Sequence, residues 1–193
     1  MKTDIILSGV GGQGILTIAA ILDTAAIHQN LNVKQSEIHG MSQRGGAVHS
    51  HVRISDKELF SDLIPKGKAD LILSVEPMES LRYLPFLKEG GWLITDSKSF
   101  DNIQDYPDEV NLLNEIKARK NTIIIDATKM AKDLGNSRAA NIILLGLASK
   151  VIPLPKASLI DAIKLLFAKK SERIINLNID AFNLGESLDV LFF

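Results

Sequence analysis

Ile5-Ile6-Leu7 is an unbroken apolar run that stops at Ser8 and gives way to Gly9-Val10-Gly11-Gly12-Gln13-Gly14, after which a helical pattern begins. A short run that is apolar at every position suits a strand buried on both faces, as in a mostly parallel sheet. The pattern that follows carries Ile15, Leu16, Ile18, Ala19, Ile21, Leu22, Ala25 and Ala26 around most of its circumference. A helix that apolar is sandwiched between layers or between subunits. A glycine loop between such a strand and such a helix turns backbone N–H groups toward one point, where an anion can sit. The unit commits the chain to an α/β fold and gives it a first candidate site.

Strand and helix patterns continue to alternate. Residues 32–38 read as a second strand, and residues 47–54 alternate in the manner of a half-buried strand. Residues 59–64 are expected to pair with that strand after the turn at Ser55-Asp56-Lys57, giving one antiparallel hairpin element. Residues 70–75 form the next apolar strand, and Glu76-Pro77 opens a helix carrying Met78, Leu81, Leu84 and Leu87 that Gly90-Gly91 ends. Two more strands follow at 92–96 and 122–126, with a helix over 129–134. Gly135-Asn136-Ser137 breaks the chain, and Asn136 or Ser137 is suited to cap a long apolar helix over 138–151. An amphipathic helix after Pro153-Leu154-Pro155 carries Leu159, Ala162, Ile163 and Leu166, and its charged end, residues 169–173, reads as a solvated terminus. A last helix over 174–185 and an apolar tail over 188–193 complete the chain. The expected architecture is α/β and Rossmann-like, a mostly parallel sheet flanked by helices in a single domain spanning 1–193.

Composition removes several functions. The chain has no cysteine, so it holds no disulfide and no cysteine-ligated iron–sulfur cluster or zinc ribbon. With 22 basic against 23 acidic residues, there is no electrostatic reason to expect nucleic acid or an anionic membrane as a partner. No apolar stretch reaches the roughly 20 residues of a membrane span, and no secretory leader opens the sequence. A cytoplasmic protein is expected.

The glycines can be weighed by spacing. Gly9, Gly11 and Gly14 satisfy the dinucleotide fingerprint, and Glu37 falls at the end of the second strand, where an acid would hold a ribose hydroxyl. A self-sufficient NAD- or FAD-linked oxidoreductase, or a nucleotide-binding module without enzymatic role, would use this arrangement. The extra Gly12-Gln13 and the lack of a second domain argue against a dehydrogenase. A second glycine-rich loop, Gly40-Met41-Ser42-Gln43-Arg44-Gly45-Gly46, adds a guanidinium fit for a phosphate or carboxylate. The candidate binding residues are therefore Gly9, Gly11, Gly12, Gln13, Gly14, Ser42, Gln43, Arg44, Gly45 and Gly46. His39, His49 and His51 fall close together, but no carboxylate set completes a metal site, and they are read as hydrogen-bonding groups at a subunit surface, with a proton donor or substrate contact the alternative for His39 beside the Arg44 loop. Glu76 and Asp96, at strand ends, either line the crevice of the sheet or, for Glu76, favour the start of the following helix. No residue qualifies as catalytic.

Read together, Gly9-Val-Gly-Gly-Gln-Gly-Ile15, then Ser36-Glu-Ile-His-Gly-Met-Ser-Gln-Arg-Gly-Gly46 and the strand after it, resemble the gamma-type subunit of 2-oxoacid:ferredoxin oxidoreductases. Within that family, the form of residues 40–46 and the length are most similar to the beta subunit of indolepyruvate oxidoreductases. Asn141 and Asn178-Ile-Asp-Ala-Phe-Asn-Leu-Gly185 extend the likeness to the C-terminal half. The resemblance implies a role in oxidative decarboxylation of a 2-oxoacid, an arylpyruvate such as indolepyruvate. It also implies thiamine diphosphate with its Mg ion, 4Fe-4S clusters that pass electrons to ferredoxin, and coenzyme A as acyl acceptor. This chain has no Gly-Asp-Gly diphosphate motif and no cysteine, so those cofactors are expected on a larger thiamine- and Fe-S-bearing alpha subunit. The two glycine loops would then either bind coenzyme A at the subunit interface or clamp the partner. Alone, the chain is expected to be inactive.

Overall fold

The computed structural model describes residues 1–40, 45–101 and 103–190. Its strands are β1 (Lys2–Val10), β2 (Asn32–His39), β3 (Ala47–Ser55), β4 (Ala69–Ser74), β5 (Leu87–Asp96) and β6 (Thr122–Ile125). Its helices are α1 (Ile15–His28), α2 (Pro77–Arg82), α3 (Glu109–Lys117), α4 (Ala127–Asp133), α5 (Ala140–Ala148), α6 (Lys156–Leu166) and α7 (Glu172–Ser187). The strands form one sheet in the order β2-β3-β1-β4-β5-β6. β1, β4, β5 and β6 run parallel, whereas β3 runs antiparallel to both of its neighbours, β1 and β2.

Each element follows from its pattern. Along β1, Ile5 and Leu7 enter the larger core, under α1, α4, α5, α6 and α7, while Ile6 enters the smaller core under α2 and α3. A strand covered on both faces has no polar side, hence the unbroken Ile5-Ile6-Leu7. α5 is buried along almost its whole length because it lies between the sheet and α7. The seam with α7 depends on two glycines. A Cβ at Gly146 would stand 2.1 Å from the Phe182 carbonyl oxygen, and one at Gly185 would stand 1.9 Å from that of Ile143.

Several boundaries differ from expectation. Residues 59–64 form no strand, and the hairpin partner of β3 is β2. The reason is visible in their backbone: the Ile64 N–H donates to His51 Nδ1 at 3.0 Å, and the carbonyls of Ser61 and Leu63 accept from Arg53 Nη1 at 2.9 and 3.1 Å. Arg53 also makes a two-pronged contact with the buried Asp4, through Nε at 2.8 Å and Nη2 at 3.3 Å. The helix opened at Pro77 ends at Arg82, one short 3-10 turn follows, and Gly90-Gly91 lies inside β5 near a register shift opposite β4. α5 begins at Ala140 after an Ala139 cap without a side-chain bond, so Asn136 and Ser137 do not cap it. α3 had no counterpart in the sequence reading. Leu188 and Val190 pack on the larger core, and residues 191–193 lie outside the described residues.

Alanine at Gly146 or Gly185 should cost stability although alanine favours helix by about 1 kcal/mol. The contacts it would violate are backbone atoms that cannot rotate aside, so α5 and α7 must separate. A net loss of about 1–3 kcal/mol, the usual range for overpacking, is expected in urea unfolding of either variant.

Candidate functional site

The insertion of β3 between β1 and β2 brings the two glycine loops together. β2 runs alongside β1 with β3 between them, so the 40–46 connection from β2 to β3 arrives at the carboxyl end of β1, where the first loop begins. The contact is direct: the Gly11 N–H donates to the Gly46 carbonyl at 2.9 Å, while the Gly40 N–H donates to the Ala47 carbonyl at 3.0 Å and joins the two ends of the second connection.

The first loop divides into structural and open groups. Gly9 is a β1 residue paired with Val48, and a Cβ there would stand 2.4 Å from a Val75 methyl. Gln13 closes the loop on itself, its Oε1 accepting the Val10 N–H at 2.7 Å while its own N–H donates to the Val10 carbonyl at 3.1 Å. Gln13 and Gly11 are therefore committed to loop structure rather than offered to a ligand. Gly12 and Gly14 remain, and their N–H groups donate to no group among the described residues. Gly14 is the α1 cap with φ 82°, a left-handed conformation that strains any side chain, and it brings no side-chain capping bond. The first turn of α1 contains no acid, so the positive end of its dipole is uncompensated. In the second loop, Gly46 supplies the carbonyl that Gly11 uses and Gly45 precedes it, whereas Ser42, Gln43 and Arg44 lie outside the described residues.

Gly12 and Gly14 line hollows on both sides of the loop. On the β2 side is a pocket of about 260 Å³ with walls of Val10, Ile15, Leu16 and Val48, where the Glu37 carboxylate and the His39 imidazole are in contact. Glu37 is thus one strand further from β1 than in a dinucleotide fold, because β3 intervenes, a displacement of about 5 Å. The NAD- or FAD-linked reading loses its second support. On the other side, a cleft of about 690 Å³ opens over the carboxyl ends of β1, β4, β5 and β6, between the loop and the α5–α7 pair. The crevice of an open α/β sheet is the usual place for a ligand. Arg138 and Lys170 line it, and neither is in an ion pair among the described residues. Lys170 belongs to the charged stretch read as a solvated terminus, and Arg138 to a presumed helix start. Periodicity could not place either beside a loop more than a hundred residues away in sequence. A third hollow, of about 540 Å³, lies at the far end of the sheet beside Met1 and Arg53, away from both glycine loops.

The two strand-end acids part ways. Asp96 lines the cleft, accepting the Thr128 N–H and hydroxyl at 3.1 and 2.6 Å and the Lys98 N–H at 3.1 Å. Burial pushes its carboxyl above the ordinary range, with those hydrogen bonds opposing. Glu76 is fully buried as the α2 cap, accepting the Glu79 N–H at 2.8 Å and the Tyr106 hydroxyl, so of its two readings the helix start holds. His51 is buried within this chain rather than offered at a surface, bonded to Ile64, and His49 stacks on Tyr83 with ring centres 4.4 Å apart. No group of three His, Cys, Asp or Glu side chains suited to a metal occurs among the described residues.

Comparison with known proteins supplies the family. The model of the pyruvate ferredoxin/flavodoxin oxidoreductase family matches residues 4–188. The chain belongs to that family. Indolepyruvate oxidoreductase subunit IorB of Thermococcus kodakarensis is 37% identical over 192 residues, covering 94% of this chain and 93% of the relative. The subunit of the same name from Archaeoglobus fulgidus is 34% identical over 194 residues, covering 96% and 94%. The gamma subunit of a keto/oxoacid ferredoxin oxidoreductase from Geobacter sulfurreducens shares the fold with a TM-score of 0.68 at 30% identity, covering 95% of both chains. A 2-oxoglutarate:ferredoxin oxidoreductase of Magnetococcus marinus, solved with 2-oxoglutarate, coenzyme A and succinyl-CoA bound, aligns at TM-score 0.79 and 20% identity over all of this chain and 32% of its own. At that identity the likeness concerns the fold, of which this chain spans about a third of the larger one. Members of the oxidoreductase family with this arrangement are enzyme subunits, as the resemblance implied.

The His49 and His51 imidazoles give the fold a pH dependence. Burial lowers His49 to about 4, with the nearby His51 adding to the shift, and burial lowers His51 against the opposing charge of Asp62. Both bind protons more readily once unfolded, so the stability they contribute is full above about pH 6.5 and is lost as pH falls toward 4. Asp23, raised to about 6 by burial, has the opposite slope. In urea unfolding at pH 7 and pH 4.5, His49→Gln should therefore lose less stability on acidification than wild type, Asp23 being common to both. An equal loss contradicts a neutral buried His49.

Proposed function

We propose that this chain is the coenzyme-A-holding subunit of a 2-oxoacid:ferredoxin oxidoreductase acting on an arylpyruvate such as indolepyruvate. The observation that carries the reading is the pair of open N–H groups at Gly12 and Gly14, at the uncompensated end of α1, on the rim of a cleft that also presents Arg138 and Lys170. Such a set suits a multiply phosphorylated ligand: the helix end contributes about 0.3–1 kcal/mol toward an anion, and each guanidinium or ammonium adds a charge-assisted bond. Arg44, from the neighbouring loop, joins that set in the sequence reading.

Chemistry at the 2-oxoacid carbon and the removal of electrons are assigned to a larger partner subunit. A chain without cysteine offers no thiolate for an iron–sulfur cluster, so those groups do not fit here. What remains for this chain is to bind the acyl acceptor, orient its thiol toward the partner and exclude water from the junction. The relatives named indolepyruvate oxidoreductase subunits support the arylpyruvate assignment, and the bound coenzyme A of the Magnetococcus marinus enzyme supports the ligand.

The test compares coenzyme A with the partner as occupants of these loops. In the complex of this chain with its larger subunit, Arg138→Ala, Lys170→Ala and Arg44→Ala should each raise KM for coenzyme A about tenfold, the size of one lost charge-assisted bond. KM for the 2-oxoacid and co-elution of the subunits should not change. Loss of co-elution, with KM for coenzyme A unmoved in what remains assembled, would instead make the loops a clamp on the partner.

A further inference from the structure

Asn141 joins the two walls of the cleft. Its Nδ2 donates to the Gly14 carbonyl at 3.1 Å, across 127 residues of sequence, and its Oδ1 accepts the Ile142 N–H at 3.0 Å. The second bond fixes which way the amide faces, so the donor end is held toward the glycine loop. Asn141 is only 5% exposed, and it fills the space a Gly14 side chain would need: a Cβ there would stand 2.4 Å from Nδ2. The Gly14 carbonyl is already the first acceptor of α1, taking the Thr17 N–H at 3.1 Å and the Ile18 N–H at 3.3 Å.

We infer that Asn141 is a positioning residue that aims the donors of the glycine loop at the anionic part of the ligand; this rests on the coenzyme A reading above. The Gly14 carbonyl and the Ile15 N–H belong to one planar trans peptide, so a bond that holds the oxygen also sets the direction of that N–H. The oxygen is drawn into the helix and toward α5, which points the Ile15 N–H out of the α1 N-terminus, beside the open N–H groups of Gly12 and Gly14. The anchor is itself firm. α5 is locked to α7 through the Gly146 and Gly185 contacts, and α7 carries Asn178, which lines the same cleft. Asn141 thereby sets the loop against the wall that bears Arg138.

Two near-isosteric variants separate positioning from packing. In the complex with the larger subunit, Asn141→Asp puts a carboxylate against the Gly14 carbonyl and beside the bound anion, and KM for coenzyme A should rise more than about tenfold. Asn141→Leu removes the bond without adding charge and should raise it severalfold. In both, kcat at saturating coenzyme A and KM for the 2-oxoacid should stay within about twofold of wild type, the mark of an interaction spent on binding one substrate. As a second readout, coenzyme A should slow hydrogen exchange of the amides at residues 12–16 in wild type and not in Asn141→Asp. If Arg138→Ala raises KM for coenzyme A while both Asn141 variants leave it within twofold, the positioning role is wrong and the ligand reading stands. If none of the three moves it, the ligand reading is wrong as well. Parallel losses in kcat, both KM values and assembly would make Asn141 a packing residue and overturn the inference.

Discussion

One reversed strand organises this molecule. β3 sits between β1 and β2 and pairs antiparallel with both, so the connection that leads into it returns to the carboxyl end of β1. The bond from the Gly11 N–H to the Gly46 carbonyl ties the two glycine loops at that point. In a dinucleotide fold the strand beside β1 would bring an acid to the ribose. Here that place is taken, and Glu37 is displaced outward into contact with His39. The same glycine spacing therefore serves a different purpose. It supports a loop whose unpartnered glycines also line a cleft on the other side.

The consequence is a site made of main chain and borrowed charge. Gln13 and Gly11 use their polar groups to shape the loop, Asn141 holds its last carbonyl from α5, and the N–H groups of Gly12 and Gly14 are left without a partner among the described residues. Arg138 and Lys170 approach from a wall that a glycine seam between α5 and α7 keeps rigid. Asp96, a buried acid lining the cleft, accepts hydrogen bonds from Thr128 and Lys98. In the proposed function such a surface binds and orients, and the reacting centre is brought to it by the partner.

What could be read from sequence was local. The strand–loop–helix unit at residues 5–26 has an apolar periodicity that nothing else in the chain contradicts, and the central parallel strands are apolar runs with no competing pattern. The failures share one cause. Residues 59–64 look like a strand, but their backbone bonds go to the Arg53 and His51 side chains, a choice invisible to periodicity. The Gly90-Gly91 pair looks like a helix stop, yet it lies within β5 where the ladder shifts register. Lys170 looks like part of a solvated helix end and Arg138 like the start of an apolar helix, because their relation to the glycine loop is purely tertiary. Motif resemblance supplied the family where spacing alone left a dinucleotide enzyme open.

The most direct test is reconstitution. The proposed larger subunit, to which the account assigns thiamine diphosphate and the iron–sulfur clusters, and this chain are purified separately, and arylpyruvate- and coenzyme-A-dependent reduction of an electron acceptor is measured for each alone and for the two combined. Full turnover is expected only from the combination, with this chain inert by itself. Turnover of any redox substrate by this chain alone would contradict the account, as would full coenzyme-A-dependent activity from the larger subunit without it.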